Sequence, residues 1–353
     1  MDVRVLEIAE KVAPSESFPS VPSNFVLHEA GTVPVETVLG PYVDLYCLDD
    51  RNGCALFAEL PDGVDPAGTP FFYLTQYQEA KRLFAVPYET LHALADDLPD
   101  PAVVVLYSTG RCGSTLLSRA LAELDGVRSL SEPDVLNDIV MLRHWEPDRA
   151  YGRLLRSCVR LLGRNAPTLA IKPRGGAIQL AGLMQQTFPS ARNLFLYRHA
   201  ERWMDSMHAG FTPSLPGKRA MPTFLRYLHA TAPLLAGWGE RHGRRPTLAE
   251  QYALTWLSVM DGYVAARAAG VPILPVRYED LLDSPRDTVT ALLTWCDLPA
   301  DADALLATFG TDSQAGTDLA RDNRPAVEPL DHAQARAVLA EHPVVTTPDH
   351  RAR

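Results

Sequence analysis

The sequence predicts an α/β protein built on a doubly wound, mostly parallel sheet that follows a small β-rich unit. Apolar runs alternate with helical stretches through most of the chain, which is the pattern expected of a buried parallel sheet covered by helices. The first hundred residues show a different pattern, and the chain turns polar after about residue 311. We therefore expect a β-rich accessory unit over 1–100, the α/β domain over 101–320 and a polar tail over 321–353.

Short-range turn signals mark the β-rich unit. Residues 42–60 contain two apolar-rich runs around the sequence Asp-Arg-Asn-Gly, which is a strong hairpin signal. A connection rich in glycine and proline leads to the aromatic stretch 71–78, which we assign to the same β-rich unit. A helix is predicted over 88–98, and Pro-Asp-Pro at 99–101 separates this unit from the next strand.

Four apolar runs predict the strands of the parallel sheet, and they lie at 103–107, 168–171, 194–197 and 273–276. The longest helix is predicted over 247–269. Its apolar side is interpreted as a core face and not as a cofactor-binding stripe, because any buried helix face shows this spacing. That side carries Tyr252, Trp256, Val259, Met260 and Tyr263. We expect the last thirty or so residues to be loosely held.

Composition excludes several classes of partner. The formal net charge is −10 and no basic run is present, which argues against a nucleic-acid surface and against a polybasic contact with membrane lipid. The amino terminus lacks the apolar core of a signal peptide, and no stretch approaches ~18 apolar residues. We expect a cytoplasmic protein, and the oligomeric state is left open.

The five cysteines are an odd number without metal-ligand spacing, which is typical of reduced thiols. Cys47 and Cys54 have positions from which they could face each other across the hairpin. Two ordinary thiols are the favoured interpretation because of the expected compartment.

Residues 103–117, VVVLYSTGRCGSTLL, have the layout of a phosphate-binding loop: a buried strand, a glycine-bearing turn and the start of a helix. Compared with G-x-x-x-x-G-K-[ST], Ser108 replaces the first glycine and Ser114 stands where the lysine belongs. The alternative is an ordinary glycine-containing turn, but the order of strand, turn and helix favours an anion site. Its candidate ligands are Gly110, Arg111, Cys112, Gly113, Ser114 and Thr115.

The other predicted strands end in cations and not in the acid that a magnesium-dependent kinase needs. These cations are Lys172, Arg174, Arg198, His199 and Arg277. A sulfuryl group carries less charge than a phosphoryl group, so its transfer does not require a divalent ion. The loop is therefore predicted to hold the phosphosulfate of an activated sulfate donor, and no metal is expected.

Three segments resemble the P-loop sulfotransferase family, bacterial members included, whose donor is 3′-phosphoadenosine-5′-phosphosulfate (PAPS). STGRCGSTLL resembles the family's 5′-phosphosulfate loop, with Arg111 at its cationic position. LFLYRHAERWMDS resembles the 3′-phosphate element, with Arg198 and Ser206 as ligands. PVRYEDLLDSPRDTVTALLTWCDLP resembles a later strand, acidic turn and helix. The resemblance covers roughly 101–320, and a looser match places Ser313, Gln314, Gly316 and Arg321 in the family's C-terminal loop.

The resemblance also implies a catalytic base. The Lys-x-His turn of some members is AIKPRGG here and has no histidine, whereas SLSEPDVLN resembles the arrangement in bacterial relatives and places Glu132 as the base. The alternative is helix initiation, with Ser131 as N-cap, Pro133 in the first turn and Asp134 near the helix dipole. Lys172 either touches the transferring group or pairs with a carboxylate. Both roles are left open.

The resemblance implies a sulfotransferase that moves a sulfuryl group from PAPS to a hydroxyl of a small molecule and releases adenosine 3′,5′-bisphosphate. A P-loop small-molecule or nucleotide kinase and a non-catalytic nucleotide-binding module are the alternatives. Transfer from a donor other than PAPS, such as an aryl sulfate, is a third alternative. Such an enzyme would have little need for Arg198 and Ser206 as 3′-phosphate ligands. The sequence does not identify the acceptor, whose pocket walls are expected to include Trp203, Met207 and Phe211.

Overall fold

The computed structural model describes residues 1–15, 18–210, 220–299, 301–310, 314 and 328–342. Within these residues, ten strands form an antiparallel and a parallel sheet of five strands each. The predicted fold class, α/β with a β-rich N-terminal unit, is confirmed.

The antiparallel sheet has the strand order β2-β1-β5-β4-β3. Its strands are β1 Asp2–Lys11, β2 Phe25–Pro34, β3 Val43–Asp49, β4 Cys54–Glu59 and β5 Arg82–Pro87. The predicted hairpin is confirmed as the β3–β4 pair. Its turn is closed by Asp49, whose carboxylate accepts from the Asn52 N–H, and Gly53 adopts the left-handed conformation that the turn requires. Cys47 and Cys54 are buried and free, as expected.

The stretch 71–78, assigned to the β-rich unit, forms a helix, α1 Phe72–Glu79. Phe72 and Gln76 are fully buried, and the Gln76 amide donates to the Leu45 carbonyl at 3.1 Å. These residues lie four apart on one helical face, and burial of that face outweighs the strand preference of the aromatic residues. The helix predicted over 88–98 is α2 Tyr88–Asp96.

The parallel sheet has the strand order β10-β9-β6-β8-β7. Its strands are β6 Ala102–Ser108, β7 Val127–Ser131, β8 Thr168–Lys172, β9 Arg192–Tyr197 and β10 Ile273–Arg277. All four strands predicted from apolar runs are confirmed. The apolar pattern did not reveal β7, because Arg128, Ser129 and Ser131 interrupt it. The central position of β6, with neighbours on both sides, makes the end of this strand a point where ligands bind in open parallel sheets.

Thirteen further helices are described: α3 Ser114–Ala122, α4 Val135–Trp145, α5 Gly152–Leu162, α6 Ala181–Thr187, α7 Ala200–Gly210, α8 Met221–Thr231, α9 Pro233–Ala236, α10 Trp238–His242, α11 Leu248–Ala268, α12 Tyr278–Asp283, α13 Pro285–Cys296, α14 Ala302–Ala307 and α15 Ala333–Glu341. The long helix predicted over 247–269 is α11, which begins with a capping box formed by Thr247 and Glu250. Its aromatic side is core, since Trp256 is fully buried and Tyr263 stacks on Phe195 with ring centroids 4.2 Å apart.

The expectation of a loosely held tail is wrong for α15. Its residues Ala335, Val338 and Leu339 are buried. Arg336 forms an ion pair with Glu201 at 2.7 Å.

The chain folds into two compact units, each made of several segments. The first unit comprises Met1–Val105, Thr115–Pro173 and Leu183–Arg192, and the second comprises Leu106–Ser114, Arg174–Gly182 and Asn193–Arg353. The β-rich segment therefore shares its unit with β7 and β8. The division predicted near residues 100 and 320 stays a prediction.

Buried carboxylates connect the β-rich segment to the rest of the first unit. Asp138 on α4 accepts from the Leu48 N–H of β3 at 2.8 Å. Asp44 on β3 accepts from Arg128 at 2.7 Å and from Arg164 at 3.0 Å. Burial raises the pKa of Asp138 well above its usual value, against a smaller lowering by the Leu48 N–H bond.

We expect Asp138→Asn to flatten the pH dependence of stability. Because the folded-state pKa is raised, the folded protein holds the proton more tightly than the unfolded chain. Stability should therefore fall as pH rises above the unfolded-state value of ~3.9, by up to about 1.4 kcal/mol per pH unit, until the folded-state pKa is passed. Asparagine keeps an acceptor for Leu48 and removes this titration.

The measurement is the urea unfolding free energy between pH 4 and pH 8, with the exposed Asp62→Asn as the matched control. Asp138→Asn should gain stability over the wild type as pH rises, and the control should not. Parallel curves for the wild type and Asp138→Asn would contradict the prediction.

Candidate functional site

The loop after β6 leaves the ordinary backbone regions at three positions. Gly110, Arg111 and Gly113 have φ angles of 75°, 50° and 80°. A Cβ at Gly113 would make a tight contact of 3.3 Å with the Tyr278 ring, in addition to the strain of its positive φ. Arg111 adopts the left-handed conformation without being glycine, which is a form of backbone strain that clusters at functional sites.

Side-chain hydroxyls and β9 hold the loop from within the second unit. The Gly110 N–H donates to Ser108 Oγ at 3.2 Å, and that hydroxyl donates to Ser114 Oγ at 3.3 Å. The Thr109 N–H and the buried Cys112 thiol both donate to the Leu196 carbonyl of β9, at 3.0 and 3.4 Å. The Cys112 side chain is therefore an anchor, and only its backbone is left to contact a ligand.

Arg111 lies beside Arg198 and Ser206, which belong to a later segment of the chain. Arg111 Nε donates to Ser206 Oγ at 3.2 Å, and Arg111 Nη1 donates to Gln314 Oε1 at 2.7 Å. Arg198 Nη1 donates to the Arg111 carbonyl at 3.4 Å. The predicted phosphosulfate ligand and both predicted 3′-phosphate ligands thus share one cluster.

Arg198 carries an unsatisfied donor. Its guanidinium packs over the Tyr278 ring at 4.8 Å, and its Nε is buried without a hydrogen-bond partner in the described part of the chain. A buried donor of a charged group is costly to leave unpaired, and an anion satisfies it best. The donor chemistry of this cluster therefore fits a phosphate-like ligand.

Glu132 and Lys172 form a pair in the first unit. Glu132 follows β7, Lys172 ends β8, and the two strands run parallel with Ser131 opposite Lys172. The Glu132 N–H donates to the Lys172 carbonyl at 2.6 Å, and the Lys172 ammonium donates to the Glu132 carboxylate. Lys172 is only 3% exposed. Of the two roles left open for Lys172, the structure shows the pairing with a carboxylate.

Ser131 does not have the role that the helix-initiation alternative gave it. Helix α4 begins at Val135 with Asp134 at the N-cap position, and Ser131 Oγ has no partner among the described residues. Ser131 is therefore not the N-cap. Glu132 has a φ of 62°, again in the left-handed region.

Arg111 and Glu132 differ from most of the described residues in their left-handed backbone conformation. In the described residues, the non-glycine positions with positive φ are Arg111, Glu132, Asn165 and Asp297. Asparagine and aspartate tolerate this conformation well, whereas arginine and glutamate do so rarely. Backbone strain therefore occurs at two of the residues that the sequence analysis predicted to be functional.

The remaining predicted ligands are only partly described. Ser114 and Thr115 are buried at the start of α3. Arg321, Ser313 and Gly316 lie outside the described residues, as does Phe211. The sequence analysis assigned Trp203 to the acceptor pocket, whereas the structure buries its side chain and bonds its indole N–H to the loop carbonyls Thr109 O and Gly110 O.

Within the described ranges, no group of three or more His, Cys, Asp or Glu side chains is arranged to hold a metal ion. A search of the same ranges finds no helix with the length and apolarity needed to cross a membrane.

No protein-family model and no curated protein matches the chain. Among solved structures it is similar to a sulfotransferase from Mycobacterium avium, at 14% identity and a TM-score of 0.42 over 72% of this chain and 79% of that one. It is also similar to a sulfotransferase from Mycobacterium tuberculosis, at 16% identity and a TM-score of 0.40 over 65% and 82%. A sulfotransferase domain from the curacin biosynthetic pathway has 14% identity and a TM-score of 0.38 over 67% and 90%. Identities and TM-scores this low do not by themselves establish an activity.

Proposed function

We propose that this chain is a sulfotransferase that transfers a sulfuryl group from PAPS to a hydroxyl of a small-molecule acceptor. The observation that carries the proposal is the meeting of Arg111, Arg198 and Ser206 beside a lysine-free phosphate-binding loop. Their spacing in the sequence and their contacts in the second unit support the same donor.

The residues present fit both charged ends of PAPS. The loop over Gly110–Thr115, with Arg111, would bind the 5′-phosphosulfate through N–H groups, hydroxyls and a guanidinium. Arg198, with its unsatisfied Nε, and Ser206 would bind the 3′-phosphate. Bound PAPS would supply the sulfuryl group and leave as adenosine 3′,5′-bisphosphate. The 3′-phosphate contacts would separate this donor from ATP.

Each side chain then has a defined task. The loop N–H groups and Arg111 stabilise negative charge on the leaving phosphate oxygen during an in-line displacement. Glu132 accepts the proton of the acceptor hydroxyl. Lys172 holds the Glu132 carboxylate in position through the ion pair. In this assignment Lys172 acts through Glu132 and is a positioning residue.

We expect Arg198→Ala to weaken binding of adenosine 3′,5′-bisphosphate by ~1.5–3 kcal/mol, the usual scale for a lost charge-assisted bond. Binding of 5′-AMP, which lacks the 3′-phosphate, should weaken much less. Isothermal titration calorimetry on both nucleotides provides the measurement. The matched control is Arg202→Ala, which removes an exposed arginine from α7, four residues after Arg198. Equal losses for the two nucleotides would reject the assignment of Arg198.

Chelation of divalent metal separates sulfuryl transfer from phosphoryl transfer. We expect EDTA to leave nucleotide binding and transfer nearly unchanged, because this proposal gives no step to magnesium. Titrations of adenosine 3′,5′-bisphosphate and ATP, each with and without magnesium, test this directly. A strict magnesium requirement together with a preference for ATP would favour the kinase alternative.

We expect Glu132→Gln to lower kcat by ~10²–10⁴, the range for loss of a general base. Affinity for adenosine 3′,5′-bisphosphate should stay within about threefold, or ~0.7 kcal/mol. The single variant also leaves the buried Lys172 ammonium without its carboxylate, so its stability should fall.

The double variant Glu132→Gln/Lys172→Met separates catalysis from folding, because it removes the unpaired charge. It should regain stability and remain inactive. Recovery of turnover with stability would show that the pair is structural. Nucleotide binding without turnover by the wild type on any hydroxyl acceptor would favour a non-catalytic module.

A further inference from the structure

Trp203 of α7 is buried and also forms hydrogen bonds with the loop that follows β6. Its side chain is 2% exposed, and its indole N–H donates to two successive carbonyls, Thr109 O at 2.8 Å and Gly110 O at 2.9 Å. The next carbonyl, Arg111 O, accepts from Arg198. Three consecutive loop carbonyls are thus held by two side chains that lie five residues apart in the sequence.

The direction of the carbonyls sets the direction of the amides. In a trans peptide the C=O and N–H groups point opposite ways, and the described chain has no cis peptide bonds. Trp203 therefore directs the Gly110 and Arg111 N–H groups away from the indole, and Arg198 directs the Cys112 N–H away from its guanidinium. The Gly110 N–H meets Ser108 Oγ on that side. Successive N–H groups that point the same way across left-handed residues form an anion-binding concavity.

We propose that Trp203 is a positioning residue for the 5′-phosphosulfate, acting through the Arg111 and Cys112 amides. This inference rests on the proposed function, because it assigns the anion to the donor. Trp203 touches no reacting atom. Its N–H fixes the two peptide units that present the amides, and an aromatic ring without an N–H would fill the same space without fixing them.

The test compares Trp203→Phe with Trp295→Phe. Trp295 also donates its indole N–H to a backbone carbonyl, Asn193 O at 3.0 Å, at the amino end of β9. Both variants lose one indole donor and should lose stability. Trp203→Phe should weaken adenosine 3′,5′-bisphosphate and 5′-AMP by the same factor of about five to ten, because both carry the 5′-phosphate. Trp295→Phe should leave both affinities unchanged.

Affinities of Trp203→Phe within twofold of wild type, at a stability loss like that of Trp295→Phe, would overturn the proposal. A loss for adenosine 3′,5′-bisphosphate alone would also overturn it, because that pattern belongs to the 3′-phosphate site.

A second measurement uses the wild type, so it holds even if Trp203→Phe fails to fold. The Arg111 and Cys112 amide resonances, followed by ¹⁵N NMR, should shift saturably when inorganic phosphate is added. No shift would overturn the positioning role. A shift with phosphate but no binding of adenosine 3′,5′-bisphosphate would reject the proposed donor and leave the role of Trp203 standing.

Discussion

The loop that follows β6 depends on hydrogen-bond donors supplied to its carbonyl groups by the rest of the second unit. Because its backbone is left-handed at three positions, the loop cannot continue the hydrogen-bonding pattern of β6 or of α3. Its polar backbone groups therefore need other partners. Trp203 and Arg198 supply donors, and Leu196 of β9 supplies an acceptor. The same contacts are the basis for our proposal that the loop amides are held in position for an anion.

Charge is handled differently in the first unit. There Asp138 accepts from a backbone N–H, whereas Asp44 is paired with two arginines and Glu132 with Lys172. Such pairs contribute little net stability, but removal of one partner leaves an uncompensated charge, so they fix geometry strongly. The Glu132 carboxylate is thereby held at one place at the end of β7.

The sequence predicted the parallel sheet well because buried strands appear as continuous runs of apolar residues, as in 103–107 and 194–197. It predicted the loop because strand, glycine and hydroxyl residues follow in a fixed order. The apolar pattern alone revealed neither β7, which is interrupted by polar residues, nor the α1 helix, whose aromatic residues favour strands when considered locally. The hydrogen bonds of Trp203 could not be predicted for a different reason. The indole N–H donates to a carbonyl 94 positions earlier, and a contact over that distance does not affect the local sequence pattern.

The left-handed backbone at Arg111 and Glu132 also bears on any attempt to stabilise this protein. Glycine at position 111 would relieve about 1 kcal/mol of backbone strain. Glycine at position 132 would relieve a similar strain but would leave the buried Lys172 ammonium without its carboxylate, which costs about 3–5 kcal/mol. A screen that selects for heat resistance alone would therefore favour glycine at position 111, where the side chain is proposed to bind the donor, and would keep glutamate at position 132. Engineering for shelf life would do best to begin elsewhere, with positions 111 and 132 held constant.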